Sequence, residues 1–328
     1  KEYLGKSVVP DSGCGSWLFE SQSTNLITQS ELLNLSLSQK VDTTITDNFG
    51  VSPSGQLNSS RIQFADATSF CYGVISISTT HTASVYVKGT SGETIRFGIG
   101  GNVTTGDLFT FNGLWQRIEY TTASATQIFF SSYGGATATD FEAFGLQLEA
   151  LSYATSYIPT QGSTVTRNQD VCNNGGSLAS INSTEGVLYA EIAALSNDLS
   201  VRYIALTDGT SSNVVYIRYD NVSNRIIGTI TANGTSPASF ATTSYTITDI
   251  NKIAVKWKTN DFALWVNGTE VGSDSSGASF SANTLNELSF ARNNSNKFFG
   301  KTKALAVWKT ALSDQELADL TYPTPTFP

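Results

Sequence analysis

The chain carries one histidine, His81, in the segment TTHTAS. A nucleophile–base–acid triad needs an imidazole that is oriented by a carboxylate and faces a hydroxyl or thiol. Nothing in the sequence around His81 singles out such partners. The three cysteines, Cys14, Cys71 and Cys172, are too widely spaced for a metal cluster, and their number is odd. They read either as free thiols or as a Cys14–Cys172 bridge, since both of these flank one module whose ends should lie near each other. The glycine-rich run GIGGNVTTG (98–106) sits between strands instead of opening a helix, so it lacks the context of a phosphate loop.

Glycoside hydrolysis asks for two carboxylates in one groove. Glu142 and Glu149 are an odd number of residues apart, hence on opposite faces of a regular strand, and are expected as solvated strand-edge groups. Glu185 and Glu191 share a face but stand roughly 20 Å apart. The expectation is therefore a non-enzymatic protein, with glycoside hydrolysis the one chemistry left open. Binding is better provided for. Flat aromatic faces against sugar C–H surfaces, with planar polar groups for the hydroxyls, make a saccharide site. Trp265 alternates against Phe262, Leu264 and Val266, so it is either an outward sugar platform or packed under a loop. Trp115 with Arg117, and the same-face stripe Tyr216, Arg218 and Asp220, stand as further candidates beside the readings of core and of solvated strand face.

The elements that would position these residues are strands. SRIQFAD (60–66), ASVYVKG (83–89), TIRFGIGG (94–101), LWQRIEY (114–120), QIFFSSYG (127–134) and DFEAFGLQLE (140–149) alternate with period two and are separated by Gly-rich turns, which argues for a sandwich. In the last of these, Phe144, Leu146 and Leu148 fall on one side. GVLYAEIAAL (186–195), the hairpin-like 203–220, RIIGTITANG (225–234) and the pair within 252–272 begin a second set, which LNELSFAR (285–292) and KTKALAVWKTAL (301–312) complete. Ser313 then opens SDQELADL, where Ser at the cap and Glu316 three residues on predict a capping box and one short helix. The prediction is an all-β chain of two β-sandwich domains in tandem with a short C-terminal helix. Its parts are an arm (1–24) anchored by Trp17, Leu18 and Phe19, a first domain (25–160), a linker (161–180), a second domain (181–322) and a Pro-rich tail (323–328).

Composition narrows the partners. Of 328 residues only 14% are charged, the net charge is −8 and the pI is near 4.7. A phosphate-binding face needs clustered Lys and Arg that no segment supplies, so nucleic acid is excluded as a partner. No apolar run is long enough to cross a bilayer, which excludes membrane insertion by a helix, and the start at Lys1 reads as a processed product or a piece of something longer.

Two stretches resemble a known family. CGSWLFESQSTNLITQSE (Cys14 to Glu31) and QLEALSYATSYIPTQGSTVTR, ending at Arg167, are similar to the lead-in and the end of jelly-roll modules in tail and appendage proteins of bacterial viruses. From about Glu185 to Leu320 the chain resembles a laminin G-like, concanavalin-type lectin domain, most characteristically in the pattern that ends Val266-Asn267-Gly268. The resemblance implies a carbohydrate-binding-module-like jelly roll followed by a lectin domain, in a fibre or spike protein on the virion surface. Such a protein adheres to host surface glycans, contacts other virion proteins and forms a homo-oligomer, a trimer by analogy. It also implies a structural calcium in the first module, onto which Glu31 and Asp140 map most nearly. Apolar chain ends, together with aromatic strands 114–120 and 127–130, supply faces that a second copy could bury. Other readings are the carbohydrate-binding region of a secreted or cell-surface polysaccharide-degrading enzyme, and a structural decoration of a capsid or filament.

Overall fold

The computed structural model describes residues 14–292 and 295–323, and before them three two-residue strands, Glu2–Tyr3, Lys6–Ser7 and Pro10–Asp11. The chain divides into two compact units. One holds residues 21–169, and the other holds 170–323 together with the segment that ends at Glu20. Both are β-sandwiches, as the alternation predicts.

In the first unit, two five-stranded sheets face each other. One runs in the order Gln116–Thr122, His81–Gly89, Asp140–Glu149, Leu57–Phe64, Thr43–Val51, and the other in the order Asp107–Thr110, Thr94–Gly100, Ala125–Ser131, Phe70–Ile77, Gln39–Val41. All pairings are antiparallel. Val85, Val87, Phe97, Phe130, Phe141 and Leu146 fill the space between the sheets. Each fully buried side chain of this kind contributes about 1.5–3 kcal/mol relative to exposure. Cys71 lies in this core as a free thiol, and burial pushes its pKa up to about 12.

The expected alternation of Asp140–Glu149 is broken once. Gly145 has φ +70°, and a Cβ there would stand 3.1 Å from the Tyr157 ring. The register against His81–Gly89 shifts at this point, from Ser84↔Gln147 to Tyr86↔Phe144. This bulge turns Phe144 away from the core that takes Phe141, Ala143, Leu146 and Leu148. It also puts Glu142 and Glu149 on the same face despite their odd spacing. Glu149 is not solvated. It is fully buried and accepts from Ser23 Oγ at 2.6 Å, Gln147 Nε2 at 2.7 Å, Thr155 N at 2.9 Å and the Thr155 hydroxyl. Residues 161–169, read from sequence as linker, include a strand, Val165–Arg167, that pairs with Ser23–Asn25 and ties the two ends of this unit together. Phe129, expected on an open aromatic face, is fully buried beside its ladder partner Gly98.

In the second unit, a six-stranded sheet runs Thr269–Asp274, Phe262–Val266, Asn251–Lys258, Glu185–Ala194, Gly300–Trp308, Trp17–Phe19. The facing five-stranded sheet runs Thr235–Thr242, Ile226–Ala232, Val214–Tyr219, Arg202–Thr207, Glu287–Ser289. Leu188, Ile204, Ile217, Val255, Trp257 and Leu264 are among the residues of its core. The edge strand Trp17–Phe19 comes from before the first unit, pairing Gly300↔Phe19 and Thr302↔Trp17. Phe19 packs on Phe290 at 4.5 Å between ring centroids. The chain leaves this unit at Glu20 and returns at Asp170, and these two residues hydrogen-bond each other: Asp170 N donates to Glu20 O at 2.9 Å, and Glu20 N to Asp170 Oδ2 at 3.0 Å. In sequence terms the first sandwich is thus an insertion between the first strand of the second and its remainder. Cys172 carries a free thiol, and the side chain of Cys14 lies outside the described residues.

The terminal helix Asp314–Thr321 has the predicted cap. Ser313 Oγ accepts from Glu316 N, and Glu316 Oε2 accepts from Ser313 N at 2.8 Å. Its Leu317 packs onto Val187, Tyr189, Ala254, Ala263 and Trp265, the side of the six-stranded sheet away from the core. Lys256, nearly buried, donates to Asp314 at 3.1 Å and pairs with Asp261 at 2.6 Å, which fastens the start of the helix to the sheet. No helix among the described residues is long and apolar enough to cross a membrane. Residues 324–328 of the tail lie outside the described part.

Candidate functional site

On the outer face of the first unit's sheet, alternation along Asp140–Glu149 sends Phe141 and Ala143 inward and Asp140 and Glu142 outward. The neighbours across the ladder are Arg61 and Gln63 on one side and Lys88 on the other. Arg61 Nε donates to Asp140 Oδ1 at 2.8 Å, and Arg61 Nη2 closes a second bond to Oδ2. This guanidinium holds the Asp140 carboxyl below the usual range for aspartate. Glu142 accepts from Ser59 Oγ at 2.6 Å and faces Lys88 Nζ at 3.7 Å. These groups line an open groove of about 360 Å³.

Aromatic rings stand beside this ladder of charges. The Phe49 ring lies 4.9 Å from the Arg61 guanidinium and is 45% exposed. The Trp115 ring lies 6.0 Å from Lys88 Nζ. Strand Thr43–Val51 skips register between Thr46 and Gly50, and at its end Val51 O accepts from Trp115 Nε1 at 3.2 Å. A Cβ on Gly50 would stand 2.2 Å from Glu142 Oε2, so a larger residue there would displace the Glu142 carboxylate from its place beside Ser59. The groove is formally neutral, two cations against two carboxylates. It offers donors and acceptors in fixed positions between aromatic faces, an arrangement suited to a hydroxyl-rich ligand.

Of the residues singled out from sequence, Trp115 stands beside this groove, next to Lys88, without lining it. Arg117 shares its strand edge but lies over Tyr86 at 5.4 Å and donates to Ser84 Oγ at 2.8 Å, further along the same face. Glu31 and Asp140 do not form a common ion site. Glu31 accepts from Asn58 at 2.9 Å and from Tyr157 at 3.3 Å, while Asp140 pairs across from Gln63, and Asn58 and Gln63 lie near opposite ends of Leu57–Phe64. No three His, Cys, Asp or Glu side chains among the described residues gather around one point. His81 is buried, with Nδ1 at 2.8 Å from Thr79 O.

Asp140 and Glu142, two residues apart on one face, are the carboxylate pair that sequence reasoning passed over. Asp140 has both oxygens engaged by Arg61 and is held ionised, so it is unsuited to the protonated role that glycoside cleavage requires. Phe49, Arg61 and Lys88 were also missed. Phe49 sits in a polar TDNFG stretch, beside the register shift at Gly50 that local alternation does not show.

In the second unit, Trp265 lies on the face predicted, but that face is covered by the terminal helix. Trp265 is 8% exposed in the cluster with Leu317, which closes it to a sugar ring. Tyr216, Arg218 and Asp220 do share a face of the five-stranded sheet. The Tyr216 ring is buried, edge-on to Tyr203 at 5.0 Å, so it is no open platform. Arg218 and Arg292 lie over these two rings, and Arg218 Nη1 donates to Tyr203 Oη at 2.8 Å. Asp220 is shared between Arg218 at 3.6 Å and Arg225 at 3.2 Å.

Among solved structures, similarity is found to a sialidase carbohydrate-binding module, CBM40, of Ruminococcus gnavus bound to α2,3-sialyllactose (16% identity, 42% of this chain and 83% of that one, TM-score 0.36). A SAP-like pentraxin of Limulus polyphemus (11% identity, 44% and 72%, TM-score 0.35) and domains LG4-5 of the mouse laminin α1 chain (8% identity, 98% and 97%, TM-score 0.30) are also similar. No curated protein sequence matches the chain. Residues 179–318 match the profile of the concanavalin A-like lectin/glucanases superfamily, so the second unit is a lectin-like sandwich.

Proposed function

We propose that the protein is a non-enzymatic adhesin that binds surface glycans, and that it serves as a fibre or spike component on the virion of a bacterial virus. The groove of the first unit carries this reading. Phe49 and Trp115 flank the Lys88–Glu142 and Arg61–Asp140 pairs, a neutral polar floor between aromatic faces. The lectin-like second unit supports carbohydrate binding independently. The virion setting rests on the resemblance of residues 14–31 and 147–167 to appendage modules, which also implies a homo-oligomer and other virion proteins as partners. A carbohydrate-binding region of a secreted polysaccharide-degrading enzyme is the second reading, and the glucanases within the matched superfamily favour it.

The test is binding of the full chain to a panel of neutral bacterial surface polysaccharides, with release of reducing ends followed in parallel. Binding without cleavage is expected. Trp115→Ala or Phe49→Ala should weaken it by about 1–3 kcal/mol, the scale of an aromatic anchor, with an unchanged melting temperature. Binding that survives both substitutions moves the site away from the groove. Cleavage of the polysaccharide overturns the non-enzymatic reading.

A further inference from the structure

We infer that the outer face of the five-stranded sheet in the second unit is a separate site for a saccharide bearing a carboxylate, gripped by Arg292 where it stands beside Arg218. The inference rests on the glycan-binding reading but concerns another surface and another ligand class.

The register places Tyr203 opposite Arg218 and Ala205 opposite Tyr216 on adjacent strands, so the two tyrosines meet across a small residue. Arg218 stands 5.6 and 5.8 Å from the Tyr203 and Tyr216 ring centroids, and Arg292 stands 5.8 and 5.4 Å from the same two. Two guanidiniums are thus held against one pair of rings, where they repel each other. The compensating charge is incomplete. Asp220 is the one carboxylate within ion-pair range among the described residues, and it is shared by Arg218 and Arg225, while Arg292 has none. Three cations therefore face one anion, in a chain whose net charge is −8.

Stacking on tyrosine engages the flat faces of a guanidinium and leaves its N–H edges for acceptors. Arg218 spends Nη1 on Tyr203. Its Nη2 lies 3.6 Å from Asp220 and its Nε is buried, so the open edge is that of Arg292, which is half-buried and has no side-chain hydrogen bond or ion pair among the described residues. A planar carboxylate matches such an edge with two parallel hydrogen bonds and supplies the missing negative charge. This differs from the first unit's groove, where cations and carboxylates balance and a neutral glycan is suited.

The experiment is calorimetric titration of the full chain with oligosaccharides of pectate, alginate, hyaluronan and polysialate, each beside its carboxyl-reduced counterpart. At least one acidic oligosaccharide should bind, its reduced counterpart should not, and raised salt should weaken the binding. Arg292→Gln should lower the affinity on the order of tenfold or more, since a charge-assisted fork is lost. Arg292→Lys, which keeps the charge without the fork, should fall between the two, and melting curves will show that both variants are folded. Equal binding of a carboxyl-reduced form, insensitivity to Arg292→Gln, or preference for poly-glutamate, an acidic peptide, overturns the inference. Failure of every acidic probe while neutral polysaccharides still bind sinks this site alone. Failure of both classes removes the glycan-binding reading as well.

Discussion

Trp265 alternates correctly with Phe262, Leu264 and Val266, and alternation alone leaves it facing away from the sandwich core. What local pattern could not supply is the docking of residues 314–321 onto that face, a contact between segments far apart in sequence that brings Leu317 over the indole. The same limit hid Phe49, which lies beside a skip in register at Gly50, and it put Phe144 and Glu142 on the wrong side because the bulge at Gly145 adds one residue to the count. Alternation gave the shared face where strands are regular, as at Tyr216, Arg218 and Asp220, but not the burial of Tyr216 and Asp220 on it. It failed where one glycine altered the phase or a helix covered a face. Trp265→Ala should accordingly act as a core truncation, with a loss of about 3–5 kcal/mol. Urea unfolding of the full chain will measure this, and the transition of the second unit should move while that of the first does not. An unchanged transition together with lost glycan binding would restore Trp265 as a ligand platform.

Among elements, most strands and the capped terminal helix were legible, because period-two alternation, turn glycines and the Ser313–Glu316 cap are local signals. The role of Trp17–Phe19 was not. Sequence marks it as an apolar arm, whereas it is the edge strand beside Gly300–Trp308, reached only after the whole first sandwich has been traversed. The hydrogen bonds between Glu20 and Asp170 define where the insertion begins and ends. Removing Ser21 to Gln169 and joining Glu20 directly to Asp170 should therefore leave a folded lectin-like sandwich. The fragment Asp170 to Pro328 lacks the strand and the Phe19–Phe290 contact, and should be less stable by roughly 1–3 kcal/mol from the lost aromatic burial alone. Thermal melts of the two proteins side by side decide it, and equal melting temperatures would show that the strand contributes nothing to that unit.

At the scale of the whole molecule, two sandwiches with separate cores present two chemically different surfaces, one groove with balanced charges and one face with excess guanidinium. Composition foretold the neutral polar character but not this division, since a net charge of −8 conceals a local cluster of three arginines. An adhesin gains most from such sites when copies are joined, because a second site on one assembly binds at a high effective concentration without any new contact. By analogy with viral appendages, the proposed assembly is a trimer. Burial of Phe129 removes one of the apolar faces expected to support it, but Trp17, 55% exposed on its edge strand, and Leu114, 70% exposed beside the groove, remain as surface for a neighbouring copy. Light scattering at micromolar concentration should give three times the chain mass of 35.1 kDa. A mass equal to one chain that stays constant over about a tenfold rise in concentration would remove the trimer and, with it, the avidity on which a fibre-tip role depends.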